Sequence, residues 1–307
     1  MVQSDPVSSL KQEAYSLARA LETKRVIFML WLLVGIGVAS FAMTFLLLYL
    51  HPHGIDLRYT VTFGALAPSA IMYAILSNIY MEKAQRDFIY GLCEAAGFQY
   101  RDDGCFAVSS AERHKILPEH NKSRLETGLQ GTYKGTPIAI QEVILTALKQ
   151  DPDHKNKQKE YLRFWGLLVR IQLSRRTEGH TVAVPPAAMK VFFRNDFSQY
   201  QKIKMPEGAF AQRYDVVATD GVEAKFVLNA GFKDSFMNAG KVLKAYWCEA
   251  SFRETEILLA FQLFRPLVRI DPLWKPVAAD RIRKIADELG SLIKIIDALK
   301  ANPQVSL

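Results

Sequence analysis

From Val26 to Leu50 the chain runs for 25 residues without a charged side chain. Coiled as an α-helix, that stretch is roughly 37 Å long, against a bilayer hydrocarbon core of about 30 Å. Such a segment belongs in lipid or in a large buried core, because its backbone polar groups must be satisfied internally. A second uncharged run, Thr60 to Met81, follows after nine residues. It is milder, with Thr60, Thr62, Ser69, Ser77 and Asn78, and Pro68 inside it predicts a kink. His51-Pro52-His53-Gly54 reads as a tight turn. The expectation is an antiparallel transmembrane hairpin, 26–50 and 60–81. Gly35 with Ala39 and Ala65 with Ser69 offer a seam of small residues for its packing.

Orientation follows from the basic residues. Lys24 and Arg25 abut the first run, and Lys83 and Arg86 follow the second. The connecting loop has only Arg58, balanced by Asp56. The positive-inside rule then places both termini in the cytoplasm. Trp31, Tyr49, Tyr59 and Tyr80 suit the interfacial aromatic belts. A secretory signal ending near Ala39 or Ala42 is the alternative for the first run, which is too long for one. A buried core helix is the alternative for the second. Neither run holds Asp, Glu, Lys or Arg, which argues against an ion or proton pathway built from this hairpin alone. Residues 1–25 read as a cytoplasmic amphipathic helix, with Leu10, Ala14, Leu17 and Leu21 on one side.

The remainder, 82–307, reads as a cytoplasmic α+β domain, with proline-marked seams near 185 and 206 leaving open a division into two. Residues 82–96 continue the second span and stop at Gly97. Strands are expected at 98–101, 125–133, 138–148, 165–173, 182–184, 214–218, 246–252 and 257–263. Turns fall at Lys134-Gly135 and Arg253-Glu254-Thr255. Helices are expected at 223–230, 234–243 and 282–299, the last with Ile282, Ile285, Leu289, Leu292, Ile296 and Leu299 as its apolar stripe. Trp165, Leu167, Val169 and Ile171 alternate with Arg170 and Gln172, so the antiparallel sheet is expected to leave one face in solvent. Strands and helices without regular βαβ alternation indicate α+β.

The segment Gly131-Thr-Tyr-Lys-Gly-Thr-Pro-Ile-Ala-Ile-Gln-Glu-Val143, the strand Phe164-Trp-Gly-Leu-Leu-Val-Arg-Ile-Gln-Leu173 and the run Tyr214-Asp-Val-Val-Ala-Thr-Asp-Gly-Val-Glu-Ala-Lys-Phe-Val-Leu228 come in a recognisable order. Together they resemble the bacterial domain-of-unknown-function family numbered thirty-one thirty-seven, over roughly residues 85–299. The resemblance implies a membrane-anchored bacterial protein, held in the inner membrane with a cytoplasmic α+β domain. It brings no established activity, and no functional residue is carried over.

The chemistry of the chain is sparse. Of six histidines, only His51 and His53 are close in sequence, too few for a metal site even with Asp56. Cys93, Cys105 and Cys248 lack metal or redox spacing, and Cys248 falls on an apolar strand face. No phosphate loop, dinucleotide fingerprint, nucleophile elbow or zincin motif occurs. No cofactor or metal is therefore expected. Asp220 reads as a helix cap, with Glu223 in the first turn. Glu142 interrupts an apolar strand; partial burial is one reading, and exposure at a sheet edge is the simpler one. There are 39 Lys and Arg against 31 Asp and Glu, a net charge of +8. Lys155, Lys157, Lys159 and Arg163 form one basic group, a candidate contact with an anionic surface, and Arg175-Arg176 and Lys202 with Lys204 form others. Nucleic acid is disfavoured, for no aromatic-basic recognition module is visible. The expectation is a non-catalytic interaction module anchored in the bilayer. It would bind a protein partner, a second copy or anionic lipid. The rivals are a tethered enzyme with a dispersed site and a subunit of an oligomeric transport assembly.

Overall fold

The computed structural model describes residues 6–50, 57–150, 158–186, 197–268 and 272–301. The chain divides into two compact units. One is Lys11–Leu92 with Val268–Lys284, and the other is Cys93–Leu267 with Met1–Leu10 and Ile285–Leu307.

In the first unit the amphipathic lead-in and the first uncharged run are one helix, α1 (Pro6–Leu50). The second run lies in α2 (Leu57–Ala96). Leu17 of α1 packs where a Cβ on Gly91 would come within 2.3 Å of its methyl. Lys24 meets Asp87 at 2.6 Å, Phe28 meets Tyr80 edge-on at 5.5 Å, and Gly35 lies against Met72. The partners on α2 run backward as α1 runs forward, so the helices are antiparallel, with glycines allowing close approach. Among the described residues one stretch, within Gln12–Leu46, is long and apolar enough to cross a membrane. Its large side chains stand outward, including Leu30, Leu33, Val38, Phe45 and Phe41, the last 76% exposed. The expected turn at 51–54 and several side chains of the expected second span lie outside the described residues.

The second unit is built on nine antiparallel strands: β1 (Phe98–Arg101), β2 (Lys122–Tyr133), β3 (Thr136–Gln150), β4 (Gln158–Gln172), β5 (His180–Val184), β6 (Gln201–Ile203), β7 (Asp215–Ala218), β8 (Trp247–Arg253) and β9 (Glu256–Gln262). Their order across the sheet is β1-β2-β3-β4-β9-β8-β5-β7-β6. The helices are α3 (Val108–Glu112), α4 (Ala209–Arg213), α5 (Gly221–Val227), α6 (Ala230–Leu243) and α7 (Ala279–Lys300), of which residues from Ile285 onward belong to this unit. The β2–β3 turn has both central residues at positive φ, Lys134 at 48° and Gly135 at 82°, matching the right-handed twist of the flanking strands.

The sheet is covered on both sides, contrary to the expected solvated face. One side carries Val169, Leu167, Leu259, Phe261, Ala250 and Phe252 in cross-strand register. Phe232 and Phe236 of α6 meet Phe252 and Phe261 there at 5.0 and 5.7 Å. The predicted stripe of α7 from Ile285 to Leu299 is buried. The other side carries Val143, Leu168, Leu258, Ala260, Val182 and Val217, covered by Phe106, Val108, Ala111, Ile116 and Leu117. Alternation hides this second core. Arg170 and Gln172 mark only the polar end of β4, while Phe164 and Leu168 share their face and are buried. The covering segment is tied down by Gln141, whose Oε1 accepts from the backbone of Cys105 and Phe106 at 2.8 and 3.1 Å.

Candidate functional site

The covering segment leaves α3 and brings His114 over the sheet. Ser251 lies on the same sheet face as Val182 and Leu258, which flank it in register. Two residue pairs further along, and so on the same face, His180 opens β5 opposite Arg253. These polar residues form a chain across the end of the aliphatic core. Tyr200 Oη lies 2.7 Å from His180 Nδ1, and His180 Nε2 lies 2.8 Å from Ser251 Oγ. Ser251 Oγ is 3.0 Å from His114 Nδ1, and His114 Nε2 is 3.4 Å from Glu256.

Burial sets the charge of this chain. Desolvation lowers His114 to about 4, against the pull of Glu256, and lowers His180 to about 3, with the His114 and Arg253 charges adding to the effect. Both rings are neutral at pH 7. Burial pushes Glu256 up, but the Arg113 guanidinium bonded to it, His114 and Arg170 together hold it below the usual carboxylate range. A carboxylate only accepts, so the donors have one consistent direction. Tyr200 donates to His180, His180 to Ser251, Ser251 to His114, and His114 to Glu256. Ser, His and acid thus lie in sequence, yet Ser251 has 0% exposure and both its neighbours are ring nitrogens. An acyl substrate has no approach to it, so the network locks the covering segment to the sheet rather than arming a nucleophile.

Beside Tyr200 opens a cleft of about 710 Å³. Lys115, Arg176 and Arg253 bring three cations to it, and Glu178 and Glu254 two carboxylates. Glu254 is shared between Arg113 at 3.6 Å and Arg253 at 3.8 Å. The Lys115 ammonium lies over the Tyr200 ring at 5.0 Å. Gly179 lines one wall at φ 80°, where a Cβ would also fall 2.4 Å from Thr219 Oγ1. That hydroxyl accepts from the His180 backbone N–H at 2.8 Å.

The residues singled out from sequence are dispersed. Arg25 forks onto Glu22 at 2.6 and 2.9 Å and donates to the Leu273 carbonyl at 3.1 Å. Lys24 pairs with Asp87, Arg86 with Glu82 at 3.5 Å, and Lys83 is exposed. Lys155 and Lys157 lie outside the described residues. Lys159 sits on the exposed end of β4 over Tyr161 at 5.9 Å, and Arg163 is half-buried. Asp220 caps α5 through Val222 and Glu223 N–H at 2.8 and 2.9 Å, as expected. Cys248 is buried. Glu142 is not at an edge: β3 lies between β2 and β4, and Glu142 is 3% exposed. It accepts from Trp165 Nε1 at 3.0 Å and Leu267 N at 3.3 Å. Among the described residues no group of His, Cys and acids is placed to hold a metal. The His114–His180 pair escaped the sequence reading, because 66 positions separate residues that end with ring centroids 6.4 Å apart. Only Gly179 before a short apolar strand hinted at a close approach there.

No curated protein matches the chain. Among solved structures, the crystal structure of the mycobacterial trehalose monomycolate transport factor A, TtfA, is similar with a TM-score of 0.36 and 9% identity, over 67% of this chain and 92% of that one. A likeness at that level carries no argument about function. A family model matches residues 162–301, which takes in the segments Phe164–Leu173 and Tyr214–Leu228 and begins after Gly131–Val143. Its description is Protein of unknown function (DUF3137), and the match bears out the resemblance read from the sequence.

Proposed function

We propose that the chain is a membrane-anchored, non-catalytic interaction module. In this reading α1 and α2 form a transmembrane hairpin in a bacterial inner membrane, both termini are cytoplasmic, and the sheet-built unit binds a partner protein or anionic lipid at the inner leaflet. The observation that carries it is the outward apolar surface of α1, uncharged from Val26 to Leu50 and preceded by Lys24 and Arg25. Exposed to water, that surface would drive aggregation; in lipid it is at rest. The non-catalytic half rests on Ser251, which has no exposed surface, and on ring nitrogens already engaged within the fold. Alkaline carbonate extraction of membranes from expressing bacteria tests the anchor. Retention in the pellet is expected, and release into the supernatant would overturn it. Labelling of a cysteine placed at His53 by an impermeant reagent, with one placed at Gln3 protected, is the expected topology result; the reverse pattern would refute the orientation.

A further inference from the structure

We propose that the cleft bounded by Lys115, Arg176 and Arg253 binds a phosphorylated polyol, the cations holding the phosphate and Tyr200 with Glu178 receiving a neighbouring hydroxyl. This names the ligand of the binding module and rests on that reading, though not on the anchor. The cleft volume, about 710 Å³, falls within the range of small-molecule sites and exceeds what a bare phosphate fills. Three cations face it, and of its two carboxylates Glu254 is already shared by Arg113 and Arg253. The surplus is positive; Arg253 already gives Nη1 to the Arg113 carbonyl at 2.6 Å, so the Arg176 fork, with the Lys115 ammonium beside it, is what favours a multivalent oxyanion over a single carboxylate.

The direction of the buried hydrogen bonds sets what else the cleft offers a ligand. Tyr200 Oη gives its proton inward to His180 Nδ1 at 2.7 Å. Its lone pairs are then what it offers outward, so it accepts from a ligand and cannot donate to an anion. Thr219 is the converse: its Oγ1 accepts from His180 N–H, which leaves its proton to give. The cleft therefore presents cations and one hydroxyl donor together with acceptors at Tyr200 and Glu178. A phosphoester carrying a free hydroxyl satisfies both sets. The same chemistry is found in a free polyol phosphate and in a glycerol-bearing lipid headgroup.

The test is calorimetric titration of the full chain in mild detergent with glycerol phosphate and with inorganic phosphate, for the parent, Arg176→Gln, Lys115→Gln and the exposed control Lys225→Gln. Arg176 is exposed, so its replacement leaves the fold intact. Saturable binding of glycerol phosphate, tighter than phosphate, weakened about tenfold by Arg176→Gln and Lys115→Gln and unchanged by Lys225→Gln, is expected. A second arm places the full chain in nanodiscs of phosphatidylglycerol or phosphatidylcholine and follows amide exchange in β5. Protection in phosphatidylglycerol alone, abolished by Arg176→Gln, supports the site and names the lipid headgroup as the source. No saturable binding in either arm, or equal weakening by Lys225→Gln, overturns the proposal. Consumption of glycerol phosphate during the titration would refute the non-catalytic reading while leaving the site standing.

Discussion

Lowering the pH from about 7 to about 5 should loosen the sheet around β5 and β8, and the size of the effect follows from three buried groups. His114 and His180 have an ordinary value of 6.5, lowered in the fold to about 4 and about 3. Over this interval the unfolded chain takes up nearly one proton per ring that the folded chain refuses. Stability therefore falls as pH falls, by about 2 kcal/mol per ring and about 4 kcal/mol for the pair. Glu249 works in the opposite sense. It lies one pleat deeper on the same face of β8, is 4% exposed, and burial raises it from 4.5 to about 8. Folded, it stays protonated across the interval, while in the unfolded chain it gains a proton only as pH falls. Its contribution is thus restored on acidification, by roughly 2.5 kcal/mol. The parent should lose about 1–2 kcal/mol of opening free energy between the two pH values. Glu249→Gln should lose about 4, and the double variant His114→Gln, His180→Gln should gain about 2–3 kcal/mol. Amide exchange in β5 and β8 of the detergent-solubilised chain, corrected for intrinsic rates, measures all three. If the double variant loses protection on acidification as the parent does, the assignment of acid sensitivity to these rings is refuted.

Other substitutions probe the frame around the site, with thermal unfolding as the readout. Asp220→Ala removes the acceptor of two N–H groups at the start of α5 and should cost about 1 kcal/mol, with Asn restoring most of it. Glu142→Leu strands the Trp165 and Leu267 donors and should cost about 2–4 kcal/mol, whereas Glu142→Gln keeps an acceptor and should cost less than half of that. Equal losses for Leu and Gln would mean that packing, and not the hydrogen bonds, holds position 142. Gly179→Ala meets both a positive φ and the Thr219 hydroxyl, so a loss of about 1–3 kcal/mol and weaker ligand binding are expected together.

Local patterns carried much of the fold and little of the site. Phe98–Arg101, the Lys134-Gly135 turn and the stripe of α7 were legible because period, turn chemistry and capping act within a few residues. Gln201–Ile203 was not, since a three-residue edge strand has too few positions to show alternation. The lead-in helix and the first span are continuous because nothing between Lys24 and Val26 breaks a helix, although the side chains change character there. Glu142 was misplaced because a carboxylate in an apolar strand looks like an edge until its donors, Trp165 on the next strand and Leu267 far along the chain, are brought to it. The histidine chain depends on register between β5 and β8 and on a covering loop, none of which leaves a periodic trace. Arg176 read as a strand-end surface charge, and only the fold turns it toward Lys115 and Arg253 across a cleft.

The strand order also sets a schedule for synthesis. The 15-residue strand β4 pairs on one side with β3, its immediate predecessor, but on the other with β9. Gln172 leaves the ribosome roughly 80 residues ahead of Glu256, which at about 5–20 residues per second means a wait of some 4–16 s. During that interval Leu167, Leu168, Val169 and Ile171 present an unpaired apolar edge, the kind of template on which other chains add strands. Emergence of β8 and β9 as a hairpin closes the gap in one step. A ribosome stalled between these points would hold an aggregation-prone half-sheet. The nascent chain is accordingly expected to need a holdase until its last third appears.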